Sequence, residues 1–76
     1  MIAVNEEAVR QYIGCHMKRP ASSMTSKTLV GDIANPFTMI NLCWEHFRSG
    51  DDEPVVTTEM ARTFTIESLT EWLLKK

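Results

Sequence analysis

Residues 29–37, with the sequence Leu-Val-Gly-Asp-Ile-Ala-Asn-Pro-Phe, lead into an apolar run that ends at Phe47. Asn35 is a favoured N-cap residue, and Pro36 suits the first helical position, where the missing N–H donor would have no partner anyway. Ser49-Gly50 then predicts the end of the helix. The apolar positions recur at helical spacing and form a wide stripe, which predicts a largely buried central helix. They are Phe37, Ile40, Trp44 and Phe47, flanked by Met39, Leu42 and Cys43.

Two further helices are predicted on either side of this one. Asn5 is a good N-cap with Glu6 and Glu7 in the following turn, and Pro20 is expected to close the element. Towards the other end of the chain, Thr65 is a favourable N-cap for a helix that runs to the last lysines. The inward positions are Val9, Tyr12, Ile13 and Met17 in the first of these helices, and Ile66, Leu69, Trp72 and Leu73 in the second.

The connections between these helices differ in composition. Residues 20–28 are rich in serine and threonine and have no apolar period, which predicts a long loop. Residues 51–54 predict an acidic surface loop, and Thr57 or Thr58 can cap a short helical turn. Residues 55–58 form the only β-prone segment, and no second strand is available to pair with it. We therefore expect an all-α domain, a small bundle of three main helices and a short fourth.

Length and composition limit the possible classes of protein. Seventy-six residues, 43% hydrophobic and 24% charged, suit a single globular domain spanning residues 1–76. The net charge is −2 and the basic residues form no stripe, so nucleic acid is not an expected partner. The apolar runs are too short to cross a bilayer, so a membrane is not expected either. The acidic N-terminal region lacks the positive charge of a secretory signal, which predicts a cytoplasmic protein.

In this arrangement the chain resembles the acyl carrier protein and peptidyl carrier protein family along nearly its whole length. Residues 6–14, Glu-Glu-Ala-Val-Arg-Gln-Tyr-Ile-Gly, are similar to the first helix of the family. The spacing from Asp32 to Phe47 is similar to that from the family's Asp-Ser-Leu motif to the phenylalanine ending its second helix. Residues 64–73, Phe-Thr-Ile-Glu-Ser-Leu-Thr-Glu-Trp-Leu, are similar to the closing Phe-x-Thr-Val-x-x-Leu-x-x-Tyr-Ile pattern. Residues 56–61 would then form the short third helix.

The residue that this family uses for its chemistry is replaced. In carriers, the serine after the aspartate of the motif receives 4′-phosphopantetheine, and the corresponding residue here is Ile33, next to Asp32. A hydrocarbon side chain cannot form the phosphodiester. The resemblance therefore implies a vestigial attachment site and no cofactor. Between Phe37 and Phe47 the central helix holds a single acid, Glu45, and so lacks the acidic face by which carriers meet positively charged enzymes.

Two cysteines and two histidines form the other candidate cluster. Zinc accepts such ligands, but adjacent Cys15 and His16 project in different directions from a helix, so joint ligation with Cys43 and His46 is awkward. We expect reduced thiols beside surface imidazoles, with a Cys15–Cys43 disulfide as the alternative. Cys43 and His46 are also a local nucleophile–base pair, but their helix is expected to face the core, so catalysis is not expected.

These observations lead to the hypothesis of a non-catalytic, carrier-like domain that acts by protein–protein interaction. The expected partner is another protein, such as a fatty-acid, polyketide or peptide biosynthetic enzyme. The predicted partner-binding residues are Asp32, Ile33, Phe37 and Met39, and no catalytic or metal-binding residue is assigned. Two alternatives stay open. The chain is a genuine carrier whose serine is replaced or lies elsewhere, or it is a small phage or mobile-element protein that binds or inhibits a larger complex.

Overall fold

Four α-helices make up the regular structure of the described residues, 3–48 and 55–75, in a computed structural model of the chain. They are α1, Glu6–Met17; α2, Pro36–Arg48; α3, Thr58–Thr63; and α4, Ile66–Lys75. Two 3-10 turns, Ala21–Ser23 and Val30–Asp32, lie between α1 and α2. These ranges contain no β-strand, only an isolated antiparallel bridge between Leu29 and Thr65. The all-α prediction is confirmed.

Capping hydrogen bonds confirm the predicted starts of α1, α2 and α4. They also select Thr57, of the two caps predicted for the third helix, so α3 covers Thr58–Thr63 rather than the residues 56–61 that the resemblance implied. In each case a side-chain oxygen at the N-cap accepts a hydrogen bond from the backbone N–H three residues later, which satisfies a donor that the helix itself leaves without a partner. The pairs are Asn5 with Ala8 at 2.8 Å, Asn35 with Thr38 at 3.2 Å, Thr57 with Met60 at 3.1 Å, and Thr65 with Ser68 at 3.0 Å. Short-range sequence signals therefore decide where each helix begins.

The end of α1 differs from the prediction. The helix stops at Met17 rather than at Pro20, because Lys18 takes the left-handed conformation with φ 57° and ψ 40°. Its backbone N–H donates to the carbonyl of Cys15 at 3.3 Å. A left-handed residue after the last helical one commonly ends a helix, but glycine usually fills that position. No sequence signal therefore marked Lys18 as the stop.

One hydrophobic core joins the four helices. It contains most of the predicted inward positions of α2 and α4 and half of those of α1. Tyr12, Met17 and Trp72 are half-buried at its edge, and Leu42 is half-buried as well. The loop predicted for residues 20–28 adds Met24, which is only 3% exposed. The described part of the core consists of Val9, Ile13, Met24, Val30, Met39, Ile40, Cys43, Trp44, Phe47, Ala61, Ile66, Leu69 and Leu73.

The same loop also supports the beginning of α4. The N–H of Ile66 donates to the carbonyl of Thr28 at 3.1 Å, and the N–H of Glu67 donates to the carbonyl of Ser26 at 3.0 Å. The first N–H groups of a helix have no partners inside it, so these contacts satisfy two of them. The loop is therefore an integral part of the fold, although its sequence has no regular pattern.

The predicted helix exit at Ser49-Gly50 and the acidic loop at residues 51–54 lie outside the described residues. Within the described ranges, no helix is both long and apolar enough to cross a membrane.

Candidate functional site

The segment that leads into α2 places the predicted attachment position close to a helix start. The 3-10 turn Val30–Asp32 ends at Ile33, whose N–H donates to the carbonyl of Val30 at 3.0 Å. Only Ala34 and Asn35 separate Ile33 from the first residue of α2. The residue predicted to replace a carrier serine therefore lies at the N-terminal end of the second helix.

A groove opens between this segment and α3, with a volume of about 290 Å³. We call it the α2–α3 groove. One wall comes from the residues before and at the start of α2, and the other comes from α3. The walls include Ile33, Ala34, Pro36 and Phe37 on the α2 side, and Thr58 and Arg62 on the α3 side. Since only one wall is largely apolar, the groove combines a hydrophobic surface with hydrogen-bonding and charged groups.

The two walls of the groove are close because the backbone of the turn before α2 packs directly against the backbone of α3. Gly31, in the turn before α2, lies against the backbone of Arg62 in α3, where a Cβ atom on Gly31 would come within 2.5 Å of the Arg62 Cα atom. The N–H of the preceding residue, Val30, also donates to the carbonyl of Phe64 at 2.6 Å. Glycine is the residue that permits such an approach, because it has no side chain to occupy the gap.

Three of the four predicted partner-binding residues lie together at this end of the molecule. Asp32 is exposed, Ile33 is half-buried and packs against the core, and Phe37 is 36% exposed. Phe37 was also predicted to belong to the buried stripe of the central helix, and that part of the prediction is wrong. It lies in the first turn of α2, at the edge of the stripe, and lines the α2–α3 groove instead.

The fourth predicted residue, Met39, does not share this surface. It is only 6% exposed and belongs to the core, so the prediction that it is accessible to a partner is wrong. The physical reason is helical spacing. Met39 and the fully buried Cys43 are four residues apart and lie on the same face of α2, which points into the core.

Thr58 and Arg62 belong to the site although no sequence signal marks them. Both belong to α3, more than twenty residues after Asp32, and no motif connects them with the start of α2. Arg62 is exposed and places a positive charge in the wall of the groove. The first turn of α2 contains no acidic residue that would offset the positive end of the helix dipole. Both features favour negative charge in a ligand.

The cysteines and histidines do not form a metal centre in the described part of the chain, where no three ligand side chains are suitably placed. Both thiols are free, with Cys15 exposed and Cys43 buried. The His16 and His46 rings instead pack on Tyr12, at centroid distances of 4.6 and 4.2 Å.

Burial makes Cys43 a poor candidate for a nucleophile. It raises the pKa of the thiol from 9.0 to about 12. The group is therefore protonated near neutral pH, whereas nucleophilic attack by cysteine requires the thiolate. Burial of this thiol therefore argues against Cys43 as the nucleophile of the Cys43–His46 pair.

This pKa predicts a specific loss of stability at high pH. Below pH 9 the Cys43 thiol is protonated in both the folded and the unfolded chain, so its contribution to stability is fully present. Between pH 9 and 12 the unfolded chain loses this proton and the folded chain keeps it. The unfolding free energy therefore falls by up to about 1.4 kcal/mol per pH unit from this residue.

Urea unfolding of the natural chain and of Cys43→Ala at pH 8, 9, 10 and 11 measures this effect. The pKa of Tyr12 is raised mainly by burial, which is the same in both proteins, and in smaller part by Cys43, so only that smaller part differs between them. We expect the unfolding free energy of Cys43→Ala to fall less steeply above pH 9. Parallel curves for the two proteins would contradict the prediction.

Comparison of the chain with protein-family models, curated proteins and solved structures gives no match. The functional interpretation therefore rests on the residues and the geometry described above.

Proposed function

We propose that this chain is a non-catalytic domain, similar in helix order to acyl and peptidyl carriers, that acts by binding another protein. The binding surface in this proposal is formed by Asp32, Ile33 and Phe37 beside the α2–α3 groove. The proposed kind of partner is a biosynthetic enzyme for fatty acids, polyketides or peptides. The chain would dock on such an enzyme or regulate it without holding a phosphopantetheine arm.

The environment of Ile33 is the observation on which this proposal depends. Attachment of phosphopantetheine requires an exposed hydroxyl group, whereas the side chain of Ile33 is a half-buried hydrocarbon that packs against the core. Burial of apolar surface stabilises the fold by roughly 25 cal/mol per Å². A serine would lose most of this contribution. The packing therefore favours isoleucine as the residue that belongs at position 33, rather than a substitution in a functional carrier.

The exposure of Phe37 supports binding at the same place. Phenylalanine is among the residue types that are most often fully buried, yet this one leaves 36% of its surface accessible in the wall of a groove. Large aromatic side chains that fill or border pockets often contribute much of the binding energy at protein interfaces. Phe37 is thus the proposed apolar anchor of the surface.

Intact-mass measurement tests the first part of the proposal. The purified chain is incubated with coenzyme A and a phosphopantetheinyl transferase of broad specificity, with an authentic carrier as the positive control. We expect no change in mass for the natural chain. A gain of one phosphopantetheine would overturn the proposal and favour a carrier with a hydroxyl elsewhere, which peptide mapping would locate.

Affinity capture with matched variants tests the second part. Phe37→Ser removes an exposed apolar side chain beside the groove, and Leu74→Ser removes one from α4, where Leu74 is 57% exposed. We expect the natural chain and Leu74→Ser to retain the same biosynthetic enzyme, and Phe37→Ser to retain at least about tenfold less. Equal capture by both variants would contradict the proposed surface. Capture of a phage-related or other non-biosynthetic complex instead would favour the accessory-protein alternative.

A further inference from the structure

The size of the α2–α3 groove suits an amino-acid side chain. Its volume of about 290 Å³ is at the lower limit of the range of about 300–1,000 Å³ that is usual for ligand pockets, and it has room for one large side chain. Ile33, Pro36 and Phe37 supply apolar surface on one wall. A single large apolar side chain of a partner could bury its surface against these three residues.

The charged residue that lines the groove has the sign opposite to the net charge of the chain. The net charge is −2, yet the charged residue in the groove wall is Arg62, which is exposed. Asp32 and Glu59 belong to the same two elements of structure but do not line the groove. The first turn of α2, which forms part of the groove wall, contains no acid that would offset the positive end of the helix dipole.

From this combination, and resting on the proposed function, we infer that the groove binds an acidic segment of the partner protein. An apolar side chain of that segment packs against Phe37 and Ile33, and a neighbouring carboxylate pairs with the guanidinium of Arg62. Arginine forms particularly favourable hydrogen bonds with carboxylates, because its planar group can donate two parallel bonds. The charges in this contact are the reverse of those in carriers, where an acidic helix of the carrier contacts a basic surface of the enzyme.

Peptide titration of the ¹⁵N-labelled full chain, followed by NMR, tests this inference. The probe is a capped heptapeptide with a central phenylalanine and three glutamates on each side. One control peptide has lysine in place of every glutamate, and another has serine in place of the phenylalanine. We expect the glutamate–phenylalanine peptide to shift the amide signals of Gly31, Phe37 and Arg62, and both controls to bind at least about tenfold more weakly.

Two charge-reversal variants separate local recognition from net charge. Arg62→Glu reverses the charge in the groove, while Arg19→Glu makes the same change in net charge at an exposed position after α1. We expect Arg62→Glu to weaken binding of the glutamate–phenylalanine peptide at least about tenfold and to improve binding of the lysine peptide. Arg19→Glu should change both affinities by less than about twofold, since distant exposed charges are screened by salt.

Several results would overturn the inference. The first is that the lysine peptide binds as tightly as the glutamate–phenylalanine peptide, or more tightly. The second is that Arg62→Glu and Arg19→Glu weaken binding of the glutamate–phenylalanine peptide equally. The third is that millimolar glutamate–phenylalanine peptide leaves the amide signals of the groove residues unchanged. Cross-linking of the captured partner separates this inference from the proposed function. If capture needs Phe37 but the cross-linked segment is basic, the proposed function stands and the inference falls. If capture does not need Phe37 and the acidic peptide still binds in the groove, the proposed docking surface falls while the charge preference stands.

Discussion

Replacing Gly31 with alanine is expected to lower the unfolding free energy by about 3 kcal/mol. A Cβ atom at this position would meet the Arg62 carbonyl oxygen and lie 2.5 and 2.7 Å from the Arg62 Cα and carbonyl carbon. These are backbone atoms of α3, so no side-chain rotation can relieve the overlap. The turn before α2 and α3 must move apart, which would also separate the walls of the α2–α3 groove.

Urea unfolding of Gly31→Ala and of Asp32→Ala measures this effect. Asp32 is the next residue in the same turn and is exposed, so its replacement should change the unfolding free energy by less than about 0.5 kcal/mol. In Gly31→Ala we also expect chemical-shift changes to extend from position 31 into α3. A loss below about 1 kcal/mol, with α3 signals unchanged, would show that the close approach does not constrain the fold.

Leu69→Ala in α4 is expected to lower the unfolding free energy by about 3 to 4 kcal/mol, because it removes a fully buried side chain and leaves a cavity. A domain of this size has an expected stability of only about 4–11 kcal/mol. The variant should therefore be unfolded to a measurable extent under mild conditions. The effect follows from the position of Leu69, which is 0% exposed and belongs to the hydrophobic core of the described residues.

Leu74→Ala provides a matched control, because the same atoms are removed from the same helix at a position that is 57% exposed. We expect its unfolding free energy to change by less than about 1 kcal/mol. Thermal and urea unfolding of both variants, with circular dichroism at 222 nm, would give the comparison. Similar losses in the two variants would mean that the assignment of inner and outer faces of α4 is wrong.

The two predictions bear on function in different ways. Loss of Leu69 should destabilise the whole domain and so reduce binding only through the unfolded fraction. Gly31→Ala should instead affect the groove even in molecules that remain folded, since it changes the distance between the two walls. A binding defect that persists under conditions where Gly31→Ala is fully folded would therefore support the α2–α3 groove as the docking site.

The candidate site shows where sequence reasoning succeeds and where it stops. The position of Asp32 and Ile33 at the start of a helix followed from Asn35 and Pro36, whose capping properties act within a few residues. The sequence placed Phe37 and Met39 both on the buried stripe and among the partner-binding residues, so it did not decide which of the two is exposed. Both are apolar residues on a wide stripe, and only the packing of α2 against the other elements decides which of them reaches solvent.

The sequence by itself determined the helical class, the starts of α1, α2 and α4, and the choice of Thr57 or Thr58 as the cap of α3, because N-caps and apolar spacing act between residues that are close in the chain. It also determined that position 33 has no hydroxyl group. Only the tertiary structure decided that the loop at residues 20–28 supplies Met24 to the core and partners for the first N–H groups of α4. It likewise brought Arg62 to the start of α2, because that approach depends on packing between distant segments and on the missing side chain of Gly31.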